Sequence, residues 1–213
     1  MSPRQADSAM GLAEFAAAAR VLGALFYRAP DDTTVRPFLE LIARGELASL
    51  WPAGEPGVLD ATSTTMRAAL VRPEAQQALK REHQRLFIGP DELPAPPWGS
   101  VYLEEEGTLF GETTEALQDF LAAEGVVLDS GQNEPEDHIG LLFWAAALLA
   151  EEGREAALRT LLADHLLSWS GPYLQALNDA TTNGFYRGLV TLTRLTLAEA
   201  RTLLALPAPA SDA

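Results

Sequence analysis

The groups in this chain that could do chemistry are few: three histidines, a cluster of carboxylates at 134–138 and a serine at position 100. Asp137 and His138 are neighbours and offer a carboxylate beside an imidazole that titrates near neutral pH. On a helix, adjacent residues point about 100° apart. The two therefore cannot form the facing Asp–His pair of a hydrolase triad without help from elsewhere. They can present a carboxylate and a switchable imidazole at a helix N-terminus. Glu134 and His138 stand four apart and could share a helical face, so with His83 or His165 they are the candidate metal ligands. A single His at a helix start is more often a hydrogen-bonding residue than a ligand. Ser100 lacks the flanking glycine pair of a nucleophile elbow. There is no G-x-G-x-x-G after a strand and no Walker A segment. An acid–base enzyme using Asp137, His138 and a nearby Glu thus has neither nucleophile nor cofactor motif behind it. His165 and Trp169, also four apart, read as a contact between a helix and the core.

Composition narrows the classes further. The chain has 213 residues and no cysteine, with 15 basic and 30 acidic residues for a net charge of −15. Disulfides, thiolate metal sites and cysteine nucleophiles are excluded. A surplus of acid argues against nucleic acid as a partner, because such proteins neutralise phosphates with Lys and Arg. No basic stretch leads into an apolar segment and a small-residue cleavage site at the start of the sequence. The longest uncharged apolar run, Ile139 to Ala150, is twelve residues, too short for a hydrocarbon core of about 30 Å. The expectation is a soluble, cytoplasmic protein with no stable membrane insertion. The charge is also unevenly placed. Residues 1–85 carry ten basic and ten acidic side chains and residues 154–213 carry five of each, whereas residues 86–153 carry fifteen acids and no Lys or Arg. That stretch makes a local negative field suited to a cationic partner.

The elements that must position these groups read as helices. Leu12–Tyr27 is rich in Ala and Leu, and a second helix starts near Pro37, where a missing N–H costs nothing. Further helices fit near Val58–Val71, Pro73–Phe87, Thr113–Glu124, Arg154–Trp169, Gly171–Asp179 and Phe185–Leu206. Gly89–Gly111 is too dense in Pro and Gly for a helix. Its aromatics Trp98, Tyr102 and Phe110 predict an ordered loop, with short extended pieces around Val101–Leu103. Asn133-Glu134-Pro135-Glu136 reads as a helix start with a capping box. The helix that follows is apolar all round from Ile139 and belongs at the centre of a bundle. No alternating runs support an α/β sheet.

Two segments carry a resemblance. One is Arg85-Leu86-Phe87-Ile88-Gly89-Pro90 running into Pro94-Ala95-Pro96-Pro97-Trp98-Gly99-Ser100-Val101-Tyr102-Leu103 and Leu109-Phe110-Gly111. The other is Gln132-Asn133-Glu134-Pro135-Glu136-Asp137-His138-Ile139-Gly140. Both resemble the hallmark segments of the TorD/DmsD/NarJ family of redox-enzyme maturation chaperones, and within it the DmsD branch. Residues 18–27, 165–169 and 185–187 are also similar to that branch. The resemblance implies an all-α, single-domain helical bundle spanning residues 1–206, with a long ordered Pro/Gly-rich loop and a frayed tail from 207 to 213. It implies no enzymatic activity and no cofactor. It implies a cytoplasmic chaperone for the twin-arginine signal peptide of a molybdopterin oxidoreductase precursor of the dimethyl sulfoxide reductase type. Such a chaperone proofreads cofactor loading before Tat export, with Tat translocase components as further partners. The family's peptide site carries over onto Leu86, Phe87, Pro97, Trp98, Gly111, Pro135, Asp137 and His138. His83 and Asp91 stand where the family pattern has Trp, and are expected at the rim. A nitrate-reductase-type assembly chaperone, which binds another part of its client, is the neighbouring alternative. A leader that is cationic at one end and apolar in its middle suits an acidic region interleaved with aromatics.

Overall fold

The computed structural model describes residues 10–104, 111–128 and 135–207. The described residues form helices α1 (Leu12–Tyr27), α2 (Arg36–Arg44), α3 (Leu47–Leu50), α4 (Pro56–Leu70), α5 (Ala75–His83), α6 (Ser100–Leu103), α7 (Glu112–Ala123), α8 (Ile139–Glu151), α9 (Glu155–Thr160), α10 (Ser170–Ala180) and α11 (Gly184–Leu203). No strand occurs among them, and a single antiparallel bridge joins Trp98 to His138. The all-α bundle expected from the sequence is the observed architecture. The tail beyond Pro207 lies outside the described residues.

Helix α8 is the axis of the bundle. Ten of its thirteen residues are buried, as its uninterrupted apolar composition requires. Helix α1 runs along it with Phe15, Ala19, Leu22 and Phe26 turned inward. The two backbones approach most closely where Gly23 meets Gly140. A Cβ on Gly140 would lie 2.9 Å from the Gly23 carbonyl and 2.9 Å from the Tyr27 Cβ. Helices α11 and α4 pack together on the other side of the core, and α2 and α3 rest on α4.

Two helices widen into π turns: α5 continues as Gln84–Ile88, and α9 as Leu161–Leu166. Gly89 ends the first with φ +93°, where a side chain would be strained. Both π turns bear candidate-site residues, and a widened turn shifts the face on which the following side chains emerge.

Three sequence expectations need correction. Helix α8 begins at Ile139 rather than near Asn133, and its N-cap is His138. Asn133 and Glu134 lie outside the described residues. Pro135, Glu136 and Asp137 form a turn instead of a first helical turn, because the backbone of 137–139 is committed to pairing with 97–99. Val101–Leu103 is helical, not extended, since Asp137 caps Ser100 from across the fold. Finally, α3 has no counterpart in the pattern reading, being a single turn of four residues.

The glycine crossing yields a direct test. Gly140→Ala should destabilise the fold by about 1–3 kcal/mol, as overpacking of a closed contact does. Gly57→Ala, where an added Cβ meets nothing within 4 Å, should be neutral or stabilising by up to about 1 kcal/mol. Urea unfolding of both variants beside the parent chain checks this, and equal midpoints for Gly140→Ala would show that α1 and α8 can separate freely.

Candidate functional site

The loop after α5 and the turn before α8 meet as a short antiparallel ladder. The Ile139 N–H donates to Pro97 O (2.9 Å), and the Gly99 N–H donates to Asp137 O (3.2 Å). The His138 N–H turns back to Pro135 O (3.2 Å). This ladder brings Pro97, Trp98, Pro135, Asp137 and His138 together. Gly99 allows it to seat: a Cβ there would fall 2.7 Å from the indole nitrogen of Trp169.

Asp137 is only 5% exposed. Its Oδ2 accepts a 2.7 Å hydrogen bond from the Ser100 N–H, which satisfies one orphan donor at the start of α6. Its Oδ1 and the neighbouring Ser100 Oγ are buried and have no hydrogen-bond partner. Burial pushes the Asp137 carboxyl above the usual carboxylate range, against the pull of the Ser100 N–H and the Ser100 hydroxyl beside it. A buried carboxylate oxygen without a donor is costly and invites one.

His138 is 4% exposed. Its Nδ1 accepts from the Gly140 N–H at 3.0 Å, so that nitrogen carries no proton. The ring meets Tyr27 edge-on at 5.1 Å and Trp98 at 6.0 Å. Burial drives its pKa down to about 3. The expected switchable imidazole at a helix N-terminus is therefore a neutral N-cap. The metal reading also fails to assemble. His83 lies by Phe87 and Tyr186, His138 by Tyr27 and Trp98, and His165 by Phe120. Glu134 lies outside the described residues.

Leu86 and Phe87 sit on the first π turn with their side chains in the core, while Ile88 beside them is 59% exposed. Phe87 touches Phe26, whose chain neighbour Tyr27 touches His138. Phe26 also contacts Tyr173, which joins Tyr102 and Trp169, and the last two are stacked at 5.8 Å. This aromatic chain ties the π turn to the ladder. Gly111 is not in the ladder. It caps α7, beside Glu104, whose Oε1 accepts from the Thr113 N–H and hydroxyl at 2.9 and 2.7 Å. His83 is no rim residue: it is 4% exposed within the Phe87–Tyr186 cluster. Asp91 is exposed on the loop after Gly89.

A cavity of about 240 Å³ opens beside Asp137, lined among others by Ser100, Leu103, Leu117, Asp164, His165 and Trp169. Sequence reasoning missed Ser100, Asp164 and Trp169 as site residues. The 165–169 spacing did predict a local contact, and the Trp169 indole N–H donates to His165 O at 2.7 Å. That contact turns out to form one wall of the cavity. The outer side of α7, which supplies another wall, exposes Glu112, Glu115 and Asp119.

Residues 56–175 match the protein family described as nitrate reductase delta subunit, and the chain belongs to that family of redox-enzyme maturation proteins, which includes the TorD and NarJ types. Within it, the chain is 42% identical to the Tat proofreading chaperone DmsD of Salmonella typhi over 91% of its own length and 92% of the relative's. It is 34% identical to the chaperone protein YcdY of Escherichia coli, over 85% and 90% of the two chains. Among solved structures it resembles a putative redox enzyme maturation protein from Archaeoglobus fulgidus. The TM-score is 0.53 at 17% identity, over 90% of this chain and 99% of that one. That likeness concerns the fold.

The buried histidines set the acid response. His83 and His138, held down to about 4 and about 3 from 6.5, fold only as neutral rings. Their contribution is complete above pH 6.5 and is lost as pH falls toward those values, because the unfolded chain takes up the protons first. Asp137 acts in the opposite sense: its raised pKa makes the folded state less stable as pH rises above the ordinary carboxylate range. Urea midpoints should therefore fall between about pH 6.5 and 4. His138→Asn keeps a cap acceptor of the kind Asn183 provides for Phe185, and should flatten that fall. Parallel curves for the two chains would mean that His138 does not titrate on unfolding.

Proposed function

We propose that this chain is a cytoplasmic chaperone that binds the twin-arginine signal peptide of a dimethyl sulfoxide reductase-type molybdoenzyme precursor. It holds the precursor while its cofactor is loaded, and releases it for Tat export. The chain is a chaperone and not an enzyme, like its relatives. Among the described residues, no helix is long and apolar enough to cross a membrane.

The observation that carries this reading is Asp137. Its Oδ1 is buried, unpaired and next to a cavity, within a 68-residue stretch of sequence, 86–153, that holds no Lys or Arg. A guanidinium entering there would meet a carboxylate oxygen, the Ser100 hydroxyl and the Asp164 carboxylate. Arg is the side chain whose planar donors suit such a set. Half-exposed Trp98 and exposed Ile88 offer apolar surface for the middle of the leader. Leu86, Phe87, Pro97 and Pro135 are buried and hold that surface in place, and His138 locks the ladder beneath it. Gly111 starts the helix that walls the cavity. His83 backs Phe87 from within, and Asp91 adds charge on the exposed loop. Tat translocase components remain further partners in this scheme. An acid–base role for the pair is disfavoured, since His138 Nδ1 is already committed to Gly140.

Fluorescence anisotropy with a labelled leader peptide tests the reading. Replacing Arg-Arg by Gln-Gln should weaken binding by about tenfold or more, as loss of a charged hydrogen bond does. Asp137→Asn should weaken the native leader similarly and leave the Gln-Gln leader almost unchanged, giving a non-zero coupling in a double-mutant cycle. Its melting temperature should not drop, because Asn retains an acceptor for the Ser100 N–H and removes a buried charge. Independent losses from the two changes would place the arginines elsewhere.

A further inference from the structure

On a different part of the molecule, α4, α5 and the start of α11 enclose a groove of about 780 Å³. Its lining includes Arg72, Arg81, Arg85 and Arg187, with Glu82 as the one carboxylate among the described lining residues. In a chain of net charge −15, such a concentration of guanidinium groups is out of character. Glu82 does not neutralise it. Its two oxygens take both forks of Arg85 at 2.9 and 3.1 Å, and one of them also accepts from the Thr182 N–H at 2.7 Å. Burial pulls Glu82 upward, but Arg85 and Thr182 outweigh it and hold the carboxyl below its usual range. Arg187 donates to Thr181 O at 3.1 Å. Arg72 and Arg81 are exposed, and no described carboxylate forms an ion pair with either.

We propose that this groove binds an acidic polypeptide segment of a partner protein, seated with its carboxylates on Arg72, Arg81 and Arg187. With Arg85 held by Glu82, Arg72, Arg81 and Arg187 leave three like charges around one groove that repel each other, and an incoming anion removes that cost. Guanidinium forks favour oxyanions over other groups. The Asn183-capped start of the 20-residue α11 adds a field of the same sign.

The floor decides the kind of anion. It is built from Thr64, Thr65, Ala68, Ala69, Ala78 and Gly184, small side chains over which an extended backbone can lie. The described lining has no aromatic residue and no aliphatic residue larger than alanine or proline. A compact phosphorylated ligand with a ring would find nothing to bury it, and single-stranded nucleic acid would find nothing to stack on. The chain's overall charge also repels a polyphosphate backbone at long range. The site is separate from Asp137 and Trp98, so the inference stands whether or not the leader reading does.

The test uses a fluorescein-labelled decapeptide alternating Ala and Asp, its Ala-Asn counterpart, and the full chain. The acidic peptide should bind and the amide peptide should not, with affinity falling steeply as salt rises. Arg72→Gln/Arg81→Gln should cost about tenfold in affinity for the acidic peptide, with leader binding unchanged. Both arginines are exposed and unpaired, so the variant should melt with the parent chain. The single reversal Arg72→Glu gives an independent arm and should weaken binding further. Equal binding of both peptides, or an unchanged affinity in these variants, overturns the proposal. Displacement of the peptide by inorganic pyrophosphate or oligo-dT at far lower concentrations than by unlabelled peptide also overturns it, and assigns the groove to phosphates.

Discussion

Thirty-seven residues separate Asp137 from Ser100, and the hydrogen bond between them holds the candidate site in shape. Together with the two backbone bonds of the ladder it fixes the end of the Pro-rich loop. The carboxylate caps α6, the backbone on either side of it pairs with residues 97–99, and His138 passes directly into the start of α8. The central helix of the bundle, the loop and the cavity are therefore set by a single turn of chain. The cost is a carboxylate buried with one oxygen unsatisfied. A neutral serine or asparagine could make the same cap, which is why the ionisable group here is the observation on which the proposed leader site rests.

The packing around this turn explains why buried residues can belong to a binding site. Phe87, Phe26, Tyr173 and Trp169 form a continuous aromatic chain from the π turn to the cavity wall. Truncating one of them would shift Trp98 or Ile88 without touching any peptide. Leu86, Phe87 and Pro97, all buried, are of this kind: in the proposed site they would carry the surface rather than form it. His83 is another. At that position a desolvated imidazole packs against Phe87 and Tyr186.

Charge separates the molecule into two regions of opposite sign. The stretch with no Lys or Arg includes the ladder, α7 and the Pro-rich loop. The arginines near α5 and α11 come from the two flanking thirds, each neutral as a whole. A net charge near zero in those thirds conceals a local surplus, because their carboxylates pair with other cations: Asp31 with Lys80 and Glu46 with Arg44, while Glu82 in the groove pairs with Arg85 alone. Under the two proposals, opposite fields on different parts of one small protein would let a client be held at two points with different chemistry.

How much of this was legible in the sequence follows from the range of the interactions involved. Helix α1 is visible residue for residue in an Ala/Leu-rich run ended by Ala29-Pro30, and the burial of α8 is visible in the absence of any polar face. Both are properties of contiguous residues. The hallmark segments around Trp98 and Asp137 point to the family by residue identity. The start of α8 was misread because capping residues at 133–136 make a sound local signal, and backbone pairing with 97–99 overrides it. The state of His138 was misread because an imidazole's pKa depends on what surrounds it, and Tyr27 and Trp98 come from distant parts of the chain. Asp164 and Trp169 reach the cavity only through the π turn that follows α9. The arginine groove was invisible for a similar reason, since Arg72, Arg81 and Arg187 are widely spaced along the chain. Sequence alone thus determined which stretches are helical, which are buried and which family they belong to. Tertiary structure alone decided which charges are paired, which polar atoms are left without partners and which surfaces face a ligand, because desolvation and charge pairing depend on neighbours that only the folded chain brings together.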